Sequence, residues 1–170
     1  VVGLMVLVEQ GKVALDDDIR RYAPGYPDKG RTITVEHILT HTSGIRHYRP
    51  QEFGALQENV LPYTSIHDAI AIFKDDPLLF EPGAYWSYSS FATNILQAIV
   101  EDASGMGFER FLRMHVWHAA GMLNTAFDVP ERVVRGRARG YERGDDGTIV
   151  NEPYGDMSYK YAGGGIISTA

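Results

Sequence analysis

Apolar residues recur along this chain mostly with helical rather than strand spacing. Leu4, Met5 and Val8 fit one face of a helix that Gly11 would close. Asp16, Asp17 and Asp18 can cap a short helical turn ending near Tyr22, and Pro24, Gly25, Pro27 and Gly30 mark the loop that follows. Thr34 is placed to open a second helix reaching about Thr40. Ile33 before it and Ile38 within it stand at the positions of a hydrophobic staple. Residues 46 to 62 carry Pro50, Gly54 and Pro62 and read as an irregular loop. Ser65 with Asp68 predicts a capped helix from Ile66 to about Lys74, and Leu78-Leu79-Phe80 reads as an extended connector.

The strongest pattern begins at Ser90. Ile95, Leu96, Ile99 and Val100 form one apolar stripe to about Asp102, and Gly105 ends it. Phe108 to about Trp117 predicts another amphipathic helix with Phe111 and Leu112 inward. The last third changes character. Arg137–Arg143 and Thr148–Val150 flank Gly144-Asp145-Asp146-Gly147, a hairpin signal, and Gly163-Gly164-Gly165 precedes Ile166-Ile167. The picture is α+β with helices dominant. The first line reads as the back half of a helix, and Ser168-Thr169 reads as a cap with no helix after it. The expectation is that residues 1–170 are an internal fragment of one domain.

Composition narrows the function only slightly. The 170 residues are 44% hydrophobic and 22% charged, as in ordinary globular chains. A net charge of −6 argues against a nucleic-acid partner. Arg132, Arg135, Arg137 and Arg139 read as a solvated strand face. With no cysteine there is no disulfide, thiolate metal site or cysteine nucleophile. The apolar runs fall well short of the roughly 20 residues of a membrane-spanning helix.

Three features could carry chemistry. His37 and His41 are four apart and could place two imidazoles on one helix face as metal ligands. The His-Glu-x-x-His order of zinc hydrolases is absent, so a structural role is the reading adopted, and no metal or cofactor is expected. His67, His115 and His118 receive no role. Gly163-Gly164-Gly165 lacks the Gly-Lys-Ser/Thr of a phosphate loop and indicates close backbone approach, to a neighbouring strand or to a ligand. Tyr88, delivered by Pro82-Gly83 to the start of the strongest helix, is either a core aromatic beside Tyr85 and Trp86 or a proton carrier. An ordinary tyrosine titrates near ~10, so about one in a thousand is phenolate at neutral pH. Lowering that value by ~3 units takes about 4 kcal/mol. A helix N-terminus supplies at most about half. Lys12, Lys29, Lys74 and Lys160 are the four lysines, and none has motif spacing to Tyr88. A cation from outside these residues would be needed, unless the tyrosine works as a neutral relay.

Four stretches together carry a resemblance. They are Ile33–Ile45 with Leu39-Thr40-His41-Thr42-Ser43-Gly44, Phe80-Glu81-Pro82-Gly83 through Tyr88-Ser89-Ser90, Gly121–Thr125, and Ala162–Thr169. In this order they resemble the serine beta-lactamase-like hydrolases, which include class C beta-lactamases, penicillin-binding DD-peptidases and related esterases. Arg46-His47-Tyr48 and Ser158–Gly165 look closest to the mitochondrial branch and its bacterial relatives. The resemblance implies the mainly helical lobe of the beta-lactamase/DD-peptidase fold, with the flanking sheet strands outside these residues. It implies an acyl-enzyme mechanism on a peptide or small-molecule substrate. The nucleophile would be the serine of an S-x-x-K motif, expected upstream of residue 1 because none occurs here. Tyr88 would be the acid/base residue, and Ser90 would stand at the substrate-binding position usually held by Asn. That exchange matters, because Asn offers both a donor and an acceptor where serine has one hydroxyl. The late His/Lys-x-Gly motif is also absent. Export or an organelle is implied only through this likeness, and the oligomeric state is not. The alternative is a non-catalytic relative serving as a binding or filament-forming module.

Overall fold

A computed structural model describes residues 1–169. Its organising element is α5 (Ser90–Ser104), whose buried residues include Phe91, Ala92, Asn94 and the stripe Ile95, Leu96, Ile99 and Val100. Gly105, in a left-handed conformation, ends it as expected.

Other helices pack around α5. On α1 (Val2–Glu9), Leu4 and Leu7 are buried while Met5 faces outward, so the inner stripe lies partly off the expected one. Asp18 caps the turn Ile19–Arg21 by accepting from the Arg20 N–H at 2.8 Å. On α2 (Val35–Leu39), the Thr34 hydroxyl accepts from the His37 N–H and His37 Nδ1 accepts from the Thr34 N–H, each at 3.2 Å. Ile33 and Ile38 are both buried, as a staple requires.

Residues 46–62 are not one irregular loop. They contain α3 (Pro50–Gln57), with Pro50 in the first turn and the Glu52 carboxylate accepting from the Arg49 N–H at 2.8 Å. Proline there initiates the helix, since its fixed φ suits the first turn and its missing N–H would have had no intrahelical partner. The next helix, α4 (Ile66–Ala71), starts at Ser65 as expected but stops before Lys74. The chain then tightens into turns that send Phe73 inward to stack on Phe91, centroids 4.8 Å apart.

The helix expected over 108–117 divides. Its first part, α6 (Phe108–Leu112), is regular, and Arg113–Trp117 forms a wider turn in which the His118 N–H reaches the Arg113 carbonyl. The extra residue brings Trp117 into the core, edge-on to Phe127 at 5.8 Å.

Two antiparallel pairs follow. The first joins β1 (Ala126–Phe127) to β4 (Ile166–Ile167), with Ala126 opposite Ile167. The hairpin of β2 (Tyr141–Arg143) and β3 (Ile149–Asn151) forms where Asp-Gly predicted it, with Glu142 opposite Val150, and all six of its residues are exposed. The arginine cluster lies in irregular chain rather than on a strand face. Arg132 pairs with Glu109, and Arg137 pairs with Asp128, so half of the cluster is engaged in specific contacts.

The close approach at Gly163 is to a neighbour the sequence reading did not name. A Cβ there would stand 2.7 Å from the Thr93 hydroxyl on α5, while the Gly165 carbonyl accepts from the Asp128 N–H (2.8 Å) just past β1. The segment is held there by the Asn94 side chain, which donates to the Tyr159 carbonyl at 2.9 Å.

Candidate active site

The two motif loops interlock through their backbones. The Ser87 N–H donates to the His41 carbonyl (2.9 Å), the Gly83 N–H to Thr42 (2.8 Å) and the Leu79 N–H to Gly44 (2.8 Å). Gly44 has φ +76°, and a Cβ there would lie 2.5 Å from the Phe80 carbonyl oxygen. Any larger residue would be strained and would push the loops apart. His37, the first of the suggested metal pair, instead caps α2 through Nδ1, and its Nε2 lies 3.2 Å from where a Gly83 Cβ would be. Among the described residues no cluster of three or more His, Asp or Glu is arranged to hold a metal.

This frame places Tyr88 just before α5. Its side chain is 46% exposed, so the core-aromatic alternative does not hold. The ring lies against His41 at 4.7 Å between centroids and against His47 at 5.3 Å. The Ser90 hydroxyl, in a residue only 8% exposed, donates to the Tyr88 phenol oxygen at 3.3 Å. Burial pushes the Tyr48 phenol up, and the neighbouring Ser90 hydroxyl partly offsets this. Ser90 therefore stands between two phenols.

The first N–H groups of a helix have no partner within it. Three are already bonded. The Ser89 N–H donates to His41 Nδ1 (3.3 Å), the Ser90 N–H to His47 Nδ1 (3.2 Å) and the Ala92 N–H to the Ser89 hydroxyl (3.0 Å). The Ser89 hydroxyl itself donates to the Arg46 carbonyl at 2.7 Å. Burial holds both imidazoles below the ordinary histidine value, which keeps them neutral and able to accept.

Behind them lies an ionic cluster that sequence reasoning did not identify. Buried Arg46 binds Glu52 (2.7 Å) and Asp76 (2.7 Å), lies 5.0 Å over the Phe91 ring, and donates to the His47 carbonyl (3.0 Å). Burial works against the Glu52 and Asp76 charges, but hydrogen bonds and charge from Arg46 and Arg49 together outweigh it and keep both carboxyls below their usual range. Arg46 and His47 are adjacent to the loop motif, but nothing in their spacing announced these partners. Lys29 is occupied at the Asp76 carbonyl (2.9 Å), and Lys160 lies over the Tyr159 ring at 5.4 Å. A cleft of about 370 Å³ opens between residues 137–140 and 152–157, and no residue of the Tyr88 cluster lines it.

Comparison with known proteins gives this arrangement a family. The Beta-lactamase family model matches residues 1–170. The mitochondrial serine beta-lactamase-like protein of Homo sapiens is 29% identical over 99% of this chain and 42% of its own length. Penicillin-binding protein 4* of Bacillus subtilis is 31% identical over 72% of this chain and 27% of its own. Among solved structures, the octameric penicillin-binding protein homologue from Pyrococcus abyssi superposes with a TM-score of 0.80 at 28% identity, covering 98% of this chain and 39% of that one. The D-amino acid amidase of Ochrobactrum anthropi, at 23% identity and TM-score 0.81, shares the fold. The chain thus spans less than half the length of these relatives. It belongs to the Beta-lactamase family, with the α+β fold of the penicillin-binding proteins and their hydrolase relatives.

Proposed function

We propose that the whole protein is a serine hydrolase of ester, amide or peptide bonds and that residues 1–170 supply its acid/base tyrosine. The observation that carries this reading is the half-exposed Tyr88 phenol, fixed between His41 and His47 and hydrogen-bonded by Ser90 at the start of α5. In this mechanism a serine of an S-x-x-K motif, outside these residues, attacks the substrate carbonyl. Its proton passes toward the lysine and Tyr88, and Tyr88 delivers a proton to the departing amine or alcohol. Water then attacks the acyl-serine ester, and the carboxylic acid leaves. Preorganised donors matter here because they need no reorganisation as charge develops.

Ser90 is the substrate-side residue in this reading. Its hydroxyl already donates to the Tyr88 phenol, so it donates to a substrate carbonyl only by giving up that bond. That favours ester and small amide substrates over those whose binding depends on an Asn amide.

The test is Tyr88→Phe in the whole protein, assayed with a p-nitrophenyl ester and by acylation with a penicillin probe. Loss of general acid/base help lowers kcat by about 10² to 10⁴. Full turnover would remove Tyr88 from the mechanism. Reading the residues upstream for S-x-x-K separates the enzyme from a non-catalytic binding module, which would lack it.

A further inference from the structure

We infer that His41 and His47 are positioning residues for Tyr88, two uncharged imidazoles that together hold its ring and the first turn of α5 in one geometry. The inference rests on the reading of Tyr88 as proton carrier and adds two residues to it.

The geometry is reciprocal. The Tyr88 ring meets His41 at 44° and 4.7 Å, and His47 edge-on at 71° and 5.3 Å. Each imidazole also accepts a backbone N–H through Nδ1, at Ser89 and Ser90 respectively. Those two residues follow Tyr88 directly, so each histidine holds both the ring and the backbone that carries it. His41 has φ +57°, the one positive value outside glycine among the described residues. That costs about 1–2 kcal/mol and is stabilised by the Ser87 N–H donating to the His41 carbonyl. The strained backbone turns the imidazole toward α5.

The hydrogen bonds dictate a protonation state. An Nδ1 that accepts must be bare, so each neutral ring carries its proton on Nε2. An imidazolium would direct Nδ1–H at a backbone N–H, and the bond would be lost. His41 is faced by Trp86 and Tyr88. His47 is faced by Tyr48 and Tyr88, and by Arg46, which donates to its carbonyl while bound to Glu52 and Asp76. Because burial lowers both folded-state values, the clamp is complete above the ordinary histidine value of ~6.5 and is lost as pH falls through the lowered ones.

Two measurements on the whole protein test this. The first is the pH profile of p-nitrophenyl acetate hydrolysis in His41→Phe, His47→Phe, His41→Asn and His47→Asn. Phe keeps a ring but removes the acceptor, and the expected result is a fall in kcat of about tenfold with KM within about twofold. Asn can accept the same N–H through its side-chain oxygen without titrating. It restores most of kcat and flattens the acid limb below about 6.5. A role in folding alone would lower the melting temperature and leave kcat and the profile of folded enzyme unchanged, which overturns the inference. The second measurement is ¹³C NMR of ring-labelled tyrosine, with the Tyr88 signal assigned by its loss in Tyr88→Phe. That signal should move with imidazole protonation and stay fixed in the His41→Asn/His47→Asn double variant. A Tyr88 signal silent through the imidazole range overturns the clamp whether or not Tyr88 proves catalytic, and it decides the matter if the Phe variants do not fold. If Tyr88→Phe keeps full kcat while the Tyr88 signal follows the imidazoles, the clamp stands and the catalytic reading fails.

Discussion

The surroundings of α5 and the last third of the chain are built differently. Around α5, side chains from α1, α2, α4 and α6 are packed to almost complete burial, and even the polar side chains of Arg46 and Ser89 are enclosed with partners. From Thr125 onward few side chains are buried, and Val133, Ile149 and Ile166 stand out in solvent. Tyr88 belongs to the first region. Its ring reaches outward, but each contact that fixes it comes from the packed side. The proton-carrying role proposed for Tyr88 needs a reproducible position, and α5 and the loops stapled to it supply one.

The contrast can be broken most forcefully at its centre. Phe91→Ala removes a fully buried ring stacked on Phe73, with an expected cost of about 3–5 kcal/mol in denaturant unfolding. A loss under about 1 kcal/mol would mean that the region is looser than its burial indicates. Arg46→Ala comes next, at about 3 kcal/mol, because it leaves Glu52 and Asp76 without their main partner. This pair also gives a pH signature. Their folded-state values lie below the ordinary carboxylate range, so their contribution is present above about pH 4 and is lost as pH falls through the lowered values. In Arg46→Ala the folded-state values rise toward or above the ordinary ones, so the acid loss should shrink, as read by melting temperature against pH. Ser89→Ala deletes the cap of α5 and should cost about 1 kcal/mol. The smallest effect belongs to the open region. Ile149→Thr in the exposed hairpin should change stability by no more than about 0.5 kcal/mol, and a larger loss would show that this face is covered in the whole protein.

The same division governs what the sequence revealed. Local signals were legible where a side chain acts on its own backbone. Thr34, Ser65 and Gly105 marked helix ends, and Asp146-Gly147 marked the hairpin. Periodicity identified the buried stripe of α5. Two misses had different causes, a proline read only as a breaker and a change of helix type that periodicity does not show. Pro50 opens α3 rather than interrupting a loop, and the helix from Phe108 widens at Arg113 because Trp117 seeks Phe127. The site was legible as a motif but not as a mechanism of positioning. Tyr88 and Ser90 stood out through their place in the run from Pro82. The histidine acceptors lie more than 40 residues earlier, and long-range N–H···Nδ1 bonds leave no periodic trace.

One consequence follows from how the loops around 41–44 and 79–87 are joined. The three bonds between them run from main chain to main chain and require no particular side chain at Ala84, Tyr85 or Trp86. Tyr85 and Trp86 are each more than two-thirds exposed, directly ahead of Tyr88. Substitution at these two positions can therefore remodel the exposed surface ahead of Tyr88 while the backbone bonds that join the loops stay in place.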